Sequence, residues 1–195
     1  WAAVLPEGAV ALERDGDTAL WVTIMGSFVP SDTPSGALVR LDLRTRQATV
    51  VLDGLQRPVH TARADLDGDG RQDFVVSEFG KYVGALAWYR QVAPGRYQRI
   101  VLRNQPGAIK AEVRDLDGDG ALDIVALFGQ ADEGIFIFHN DRRGGFRTER
   151  ALAFSPSHGS SSFELDDINA DGHPDIVYTA GDNADFKPVL KPYHG

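Results

Sequence analysis

Short apolar runs separated by turn residues dominate the hydrophobic pattern of this 195-residue chain. Runs such as Phe74-Val75-Val76 and Ile124-Val125-Ala126-Leu127 are rich in β-branched side chains, and glycine or aspartate bounds them. No stretch sustains the 3.6-residue spacing of apolar positions that an amphipathic helix requires. The pattern therefore predicts an all-β fold.

The predicted strands fall into repeated units of four. In the second unit they are Val59–Ala64, Phe74–Ser77, Ala85–Tyr89 and Arg99–Leu102. In the third unit they are Ile109–Arg114, Ile124–Leu127, Ile135–Phe138 and Arg147–Leu152. We interpret the chain as one domain, residues 1–195, whose units span about 9–53, 58–103, 108–153 and an incomplete 161–195. Spacings of 54, 50 and 52 residues between these units are in the range of β-propeller blades.

One acidic nine-residue loop, Asp-x-Asp/Asn-x-Asp-Gly-x-x-Asp, occurs three times. The copies are Asp65–Asp73, Asp115–Asp123 and Asp167–Asp175, and each follows the first strand of a unit. Four oxygen-bearing side chains in so short a segment repel one another unless a cation lies among them. Hard oxygen donors without cysteine or histidine side chains at the matching positions favour calcium over zinc or copper. The sequence thus predicts up to three Ca²⁺ sites.

The predicted ligands are the side chains at positions 1, 3, 5 and 9 and the carbonyl oxygen at position 7. They are Asp65, Asp67, Asp69, Asp73 and the backbone of Arg71; Asp115, Asp117, Asp119, Asp123 and the backbone of Ala121; and Asp167, Asn169, Asp171, Asp175 and the backbone of His173. The neutral Asn169 predicts weaker binding at the third site.

An EF-hand does not fit these loops. Its position 12 is a bidentate glutamate, whereas this chain has Val76, Ala126 and Tyr178 there, and its flanks are helices. The plainer alternative is that the Asp-Gly pairs only mark solvated turns. Three copies in register favour the metal interpretation over that alternative.

A fourth, degenerate copy is predicted near the start of the chain. In this alignment Glu13, Asp15 and Gly16 take the places of Asp67, Asp69 and Gly70. Alanines at positions 11 and 19 replace the first and last ligands, so no metal is expected there.

These features together resemble the FG-GAP/VCBS repeat family, whose calcium-loop blades also form the heads of integrin α-subunits. The resemblance rests on the three loops, the valine-rich strands after them, the pairs Phe79-Gly80 and Phe128-Gly129, and the turn Asn140-Asp141…Gly144-Gly145-Phe146. It implies a β-propeller of four-stranded blades, with calcium held in the loop between the first and second strands of a blade.

About three and a half blades are expected, whereas closed propellers carry four to eight. Three explanations remain open: a fragment of a longer seven- or eight-bladed ring, which we favour, a ring completed by another chain, or an open arc supported by a partner. Two copies of the chain would give about seven blades.

Composition narrows the class of partner. The formal charge is −8, and eleven of the 28 acidic residues lie in the three loops, so the acidity reflects the metal sites. No lysine and arginine stripe with interleaved aromatics indicates nucleic-acid binding, and no apolar run reaches membrane-spanning length. Because such calcium loops suit high free calcium, we expect an extracellular or periplasmic location.

The parity of the strands predicts two faces, with the acidic loops on one. The variable segments gather on the other face: Ser27–Gly36, Phe79–Gly84, Gly129–Gly134, Phe154–Ser160 and Ala180–Gly195. A protein or carbohydrate partner is expected there, because propeller loops carry recognition. Alternating residues of the innermost strands are predicted to line a channel: His60, Lys110, Glu112, Arg114, Glu164 and Asp166.

The function indicated is a calcium-binding recognition or scaffolding module without catalysis of its own. No nucleophile elbow or zinc motif occurs in the sequence. Two alternatives remain: part of a calcium-dependent polysaccharide or sugar lyase, with acid and base groups in Gly181–Gly195, or a structural subunit of a larger envelope complex.

Overall fold

The computed structural model of the protein describes Leu5 and residues 7–130, 132–155 and 159–181. These residues form β-strands and no helix. No helix in this described part could therefore cross a membrane.

The first sheet contains β1 Ala9–Asp15, β2 Ala19–Ile24, β3 Gly36–Asp42 and β4 Ala48–Leu55. The second contains β5 Pro58–Ala64, β6 Asp73–Glu78, β7 Ala85–Ala93 and β8 Arg96–Arg103. The third contains β9 Ala108–Arg114, β10 Asp123–Phe128, β11 Gly134–Asn140 and β12 Phe146–Ala153. The last two strands are β13 Ser160–Asp166 and β14 Asp175–Ala180.

Each sheet is an antiparallel meander in which strands adjacent in sequence are hydrogen-bonded neighbours. The first strands of the sheets, β1, β5, β9 and β13, contact one another in that order. Three four-stranded sheets and one two-stranded sheet thus form an arc of a β-propeller that is not closed. The predicted fold class and the individual predicted strands are confirmed.

The seventh and eighth strands extend further than the sequence pattern predicted. They continue to the two-residue connection Pro94-Gly95. Proline fixes its own φ for the first central position of a tight turn, and Gly95 adopts a positive φ of 68°. The hairpin therefore stays hydrogen-bonded to its tip.

The core lies between the sheets. All six residues of β6 and all six of β10 are buried, because a neighbouring sheet packs on each side of these strands. Trp88, Phe128 and Phe138 fill the space between the second and third sheets. Full burial of one such side chain contributes about 1.5–3 kcal/mol to stability, so the sheets are held together mainly by packing.

A relay of backbone hydrogen bonds joins the sheets on the side away from the acidic loops. Gly107 N–H donates to the carbonyl of Phe79 at 2.8 Å, and Gly129 N–H donates to the carbonyl of Gly107 at 2.9 Å. Gly80 follows Phe79 with a positive φ of 64°, and a Cβ on it would lie 2.0 Å from the carbonyl oxygen of Val83. The Phe-Gly pairs noted in the sequence therefore shape the links between blades.

The predicted placement of Glu13 and Asp15 in a degenerate acidic loop is wrong, although Ala19 does take the place of Asp73. Asp15 is the last residue of β1 and pairs with Ala19, as Ala64 pairs with Asp73 in the second sheet. Only residues 16–18 connect β1 to β2, whereas residues 65–72 connect β5 to β6. Because the loop is shorter by five residues, Asp15 lies in a strand rather than in a degenerate acidic loop.

Candidate metal centres

The first aspartate of each acidic loop organises the backbone of that loop. Asp65 Oδ1 accepts a hydrogen bond from Asp69 N–H at 3.1 Å, and Asp65 Oδ2 accepts one from Gly70 N–H at 2.8 Å. The equivalent distances are 3.2 and 2.9 Å at Asp115 and 3.0 and 2.8 Å at Asp167. Identical chemistry at identical positions thus produces the same curl in all three loops.

The third and fifth positions tighten that curl further. Asp69 Oδ1 accepts a hydrogen bond from Arg71 N–H at 2.9 Å, and Asp67 Oδ1 accepts one from Asp69 N–H at 3.3 Å. The backbone can turn this sharply because the glycine at position 6 has a φ of 84°, 86° and 90° in the three loops, a conformation that other residues rarely adopt. The side chains at positions 1, 3 and 5 consequently converge.

Two of the loops bring three carboxylates together. The two triads are Asp65, Asp67 and Asp69, and Asp115, Asp117 and Asp119. Within each triad, one carboxylate oxygen of every aspartate lies within 4.8 Å of one oxygen of each of the other two. Two oxygens bound to one Ca²⁺ at 2.3–2.6 Å can be at most about 5.2 Å apart. The two triads could therefore hold a metal ion, and their hard, all-oxygen chemistry fits calcium.

Arginines partly neutralise these carboxylates. Arg71 pairs with Asp69, and Arg90 pairs with Asp67. Oδ2 of Asp67 is buried, yet Arg90 Nε does not meet it in a hydrogen-bonding direction. Arg90 therefore compensates the charge of Asp67 without giving its buried Oδ2 a hydrogen bond.

Among the described residues, one arginine pairs with the second triad. Arg142 Nε lies 3.0 Å from Asp119 Oδ2. The backbone N–H of Ala121, assisted by Arg142, lowers the pKa of Asp119 below its ordinary value. Asp119 consequently remains ionised in the range where calcium binding is expected.

The aspartate at position 9 has a different environment from the triad. Asp73 is buried, and its Oδ2 accepts hydrogen bonds from Leu66 N–H at 3.3 Å and Trp88 Nε1 at 2.9 Å, while Oδ1 accepts one from Gln91 N–H at 2.7 Å. Burial raises the pKa of Asp73, and these donors oppose that rise. Asp73 thus ties the acidic loop to β7, and its predicted part in metal binding stays a prediction.

The same arrangement recurs at the other two position-9 aspartates. Asp123 accepts hydrogen bonds from Leu116 N–H at 3.3 Å and Asn140 N–H at 2.8 Å, and Asp175 accepts one from Ile168 N–H at 3.0 Å. These contacts lock each loop to the strand that follows it. Ligation by Asp123, Asp175 and the three position-7 carbonyls likewise stays a prediction.

The third loop differs at position 3. Asn169 Oδ1 accepts a hydrogen bond from Asp171 N–H at 2.9 Å, and Asn169 Nδ2 donates to Asp171 Oδ2 at 2.9 Å. The Asn169 amide thus occupies the oxygen of Asp171 that corresponds to the arginine-paired oxygens of Asp69 and Asp119. Weaker binding at the third loop stays a prediction.

Comparison with protein-family models identifies the repeats. The model of the FG-GAP-like repeat matches residues 65–126 and again residues 115–178, which together make up more than half of the chain. The chain belongs to the FG-GAP-like repeat family. The matches begin at the first residue of an acidic loop, so the FG-GAP-like repeats contain the two aspartate triads.

The innermost strands of this FG-GAP-like arc line a cleft of about 350 Å³. Four of the six residues predicted to line a channel contribute to it: His60, Lys110, Glu112 and Glu164. Lys110 Nζ lies 2.9 Å from Glu112 Oε1 and 2.5 Å from Glu164 Oε1, and it also donates to the carbonyl of Phe163. Inside this cleft Lys110 therefore pairs with Glu112 of its own strand, β9, and with Glu164 of β13 in the next sheet.

Sequence reasoning missed two features of the site. Arg71 pairs with Asp69 inside the same loop, whereas Arg90 of β7 and Arg142 of the turn after β11 reach loop carboxylates from outside the loop. Glu13, placed in a degenerate loop by the sequence, instead lies in the cleft beside Arg63, where burial raises the pKa of Glu13. Neither feature leaves a spacing signal in the sequence.

Proposed function

We propose that this protein is a calcium-stabilised propeller module that serves recognition or scaffolding, without catalysis of its own. The two aspartate triads carry the calcium part of the proposal. Calcium there would neutralise the carboxylates and fix the connection between the first two strands of a blade. We propose an extracellular or periplasmic location, where free calcium is high enough for exposed sites of this kind.

Calcium binding is tested by titrating the apoprotein with Ca²⁺ in a calorimeter and by measuring its melting temperature with and without EDTA. We expect EDTA to lower the melting temperature, and Asp67→Ala or Asp117→Ala to remove one binding event and shrink the EDTA effect. Glu13→Ala is the matched control, because Glu13 is an acidic residue outside the loops. Identical melting of the parent protein in calcium and in EDTA would overturn the proposal.

An exposed apolar patch supports recognition on the face away from the acidic loops. Phe28, Val29, Tyr82 and Val83 are between 54% and 77% exposed. They lie on the connections between the second and third strands of the first two sheets. We call these four residues the apolar loop patch. Large apolar patches on a protein surface are one mark of interaction sites.

Two contacts hold the patch in shape. Asp32 Oδ1 accepts hydrogen bonds from the N–H groups of Tyr82 and Val83 at 2.9 and 3.0 Å. Arg57, which is buried, donates to the carbonyl of Gly80 at 2.9 Å and to that of Ser27 at 3.4 Å. Loops from two blades are thereby joined, so the patch is ordered before any partner binds.

We propose a protein as the partner. All four side chains can bury against another protein, whereas a sugar would stack only on the rings of Phe28 and Tyr82 and leave the two valines exposed. Binding to an ordered patch avoids part of the entropy cost of association. A carbohydrate partner remains the other outcome of the test below.

The recognition surface is tested by photo-cross-linking from position 82 in extracts of the source organism, followed by affinity measurements with the purified partner. We expect Phe28→Ser and Tyr82→Ser each to weaken binding at least about tenfold, since buried aromatic anchors dominate interface energies. Ile168→Ser is the matched control, because Ile168 is 65% exposed but lies in the third acidic loop. If the protein binds to a glycan array and the patch substitutions abolish that binding, the partner is a carbohydrate and the proposal of a protein partner is wrong.

The lyase alternative depended on the segment Gly181–Gly195. Residues 182–195 lie outside the described part of the chain, as do residues 156–158 of the segment Phe154–Ser160. No observation on the described residues favours a reaction over binding.

A further inference from the structure

Asn140, the last residue of β11, lies between the first two acidic loops. Its Nδ2 donates to the carbonyl of Leu66 at 2.9 Å and to the carbonyl of Leu122 at 3.1 Å. Its backbone N–H donates to Asp123 Oδ1 at 2.8 Å. One side chain from the third sheet is therefore bonded to the loop of its own sheet and to the loop of the preceding one.

The two carbonyls lie at sensitive points of the loops. Leu66 is the residue between Asp65 and Asp67, two members of the first triad, and its own N–H is bonded to Asp73. Leu122 immediately precedes Asp123, which closes the second loop. Both N–H groups of the Asn140 amide are used, so a shift of either loop disturbs the hydrogen bond to the other.

The equivalent residue of the second sheet, Gln91, makes no such bridge to any described residue. Gln91 N–H donates to Asp73 Oδ1 at 2.7 Å, as Asn140 N–H does to Asp123. The side chain of Gln91, however, donates to the hydroxyl of Tyr97 in its own sheet at 3.2 Å. The bridge is thus a property of Asn140 and does not follow from the repeat geometry alone.

Direct repulsion between two bound cations would act against any mutual assistance of the loops. A cleft of about 650 Å³, lined by residues of both loops and by Asn140 and Arg142, separates them. Charges that interact across water repel only weakly. The hydrogen bonds of Asn140, by contrast, join the two loops without intervening solvent.

We propose that Asn140 is a positioning residue that couples cation binding at the first two acidic loops. This inference rests on the calcium binding of the proposed function. A cation in the second loop orders the backbone at Leu122, and through Asn140 it holds the carbonyl of Leu66 in place. The first loop then loses less conformational entropy when it binds its own cation, so each site raises the affinity of the other.

The test is a double-mutant cycle on the full chain with Ca²⁺ as the only ligand. Affinity at the first loop is followed by the NMR signal of Gly70, whose N–H is bonded to Asp65. Asp117→Ala disables the second loop, and we expect it to weaken calcium binding at the first loop by about fivefold or more. In the Asn140→Ala background, the same substitution should leave affinity at the first loop unchanged.

Two further variants separate positioning from general stability. Arg143→Ala changes an exposed side chain of the same turn and should keep the full effect of Asp117→Ala. Asn140→Asp keeps the size of the side chain but has no N–H to donate, so it should remove the coupling even if its charge strengthens both sites. It also serves as the second variant if Asn140→Ala does not fold.

The outcomes distinguish this inference from the proposed function. Absence of calcium binding at both loops would contradict both. Calcium binding with an Asp117→Ala effect of the same size in all backgrounds would overturn the role of Asn140 and leave the proposed function intact. A merely structural role would lower the melting temperature of Asn140→Ala without changing that effect.

Discussion

Ala170 adopts the left-handed backbone conformation that glycine adopts at the same position of the other two loops. Its φ is 59°, compared with 72° at Gly68 and 74° at Gly118. For a residue with a Cβ this conformation costs roughly 1–2 kcal/mol. The third loop therefore carries backbone strain in addition to the neutral amide of Asn169.

Relief of this strain gives a residue-scale prediction. Ala170→Gly should raise the free energy of unfolding by about 0.5–1 kcal/mol, since the flexibility of glycine in the unfolded chain offsets part of the gain. Gly118→Ala should lower it, although a Cβ there meets nothing within 4 Å, so that only the backbone conformation is tested. Chemical denaturation measures both, and a stabilising Gly118→Ala would contradict the argument.

His60 gives a second residue-scale prediction, on pH. Burial, together with the nearby charge of Lys110, lowers the pKa of His60 from 6.5 to about 4, while Glu164 acts in the opposite direction. As pH falls below 6.5, His60 becomes protonated in the unfolded chain, whereas in the folded protein it stays neutral until about pH 4. His60 therefore has no effect on stability above pH 6.5 and lowers it progressively between pH 6.5 and 4, by up to about 3 kcal/mol.

The variant His60→Gln isolates that contribution. The stability difference between parent and variant should be constant above neutrality and should shift in favour of the variant as pH falls towards 4. Urea unfolding at a series of pH values measures it. A difference that does not change with pH would show that His60 is solvated in the folded protein.

At the scale of elements, each acidic loop is fastened to the strands around it by its last aspartate. The carboxylate of Asp73 receives N–H groups from Leu66, Trp88 and Gln91, on both of its oxygens. The loop, β6 and β7 thus meet at one buried carboxylate. Donors within the protein thus satisfy this junction, whereas arginines compensate only part of the charge of the triads.

Asp73→Asn should therefore destabilise the protein in calcium and in EDTA alike. In this variant the side-chain NH₂ would replace one carboxylate oxygen of Asp73 and face an N–H group that the oxygen now accepts. A buried group left without a partner costs about 1–3 kcal/mol. Asp67→Asn should instead lower the melting temperature mainly in calcium. Thermal melts of both variants in both buffers measure this, and an Asp73→Asn effect confined to calcium would show that Asp73 acts chiefly as a ligand.

Much of this element-scale organisation could be predicted from the sequence. The strands and the convergence of Asp65, Asp67 and Asp69 follow from local patterns, because strand periodicity and tight turns depend on neighbours in the chain. Glu13 and Asp15 could not be placed correctly, because the loop of the first repeat is five residues shorter than the others. In the sequence, these two acidic residues of β1 therefore resemble the ligands of a degenerate loop. The bridge at Asn140 joins residues 74 positions apart, and no local pattern encodes it.

On the scale of the whole molecule, charge and packing oppose each other. Packing between sheets holds the arc together, while 28 acidic residues against 20 basic ones leave a formal charge of −8. Three bound Ca²⁺ ions would reduce this charge to about −2. Eleven of the 28 acidic residues lie in the three acidic loops, so these loops contribute a large share of the repulsion.

Salt should therefore replace part of the effect of calcium. The melting temperature in EDTA should rise between about 0.05 and 0.5 M NaCl, because the screening length shortens several-fold over this range. In saturating calcium the same change should have little effect. Differential scanning fluorimetry measures both series, and equal salt responses in the two buffers would contradict a carboxylate origin of the calcium effect.

The relay through Phe79, Gly107 and Gly129 uses only main-chain atoms. The distance that the relay sets between neighbouring blades therefore depends on its glycines but not on the side chains of the surrounding segments. Segments beside it, including the apolar loop patch, can diverge by mutation without altering how one blade is set against the next. A lineage of such proteins could change its binding partners repeatedly while inheriting the same frame.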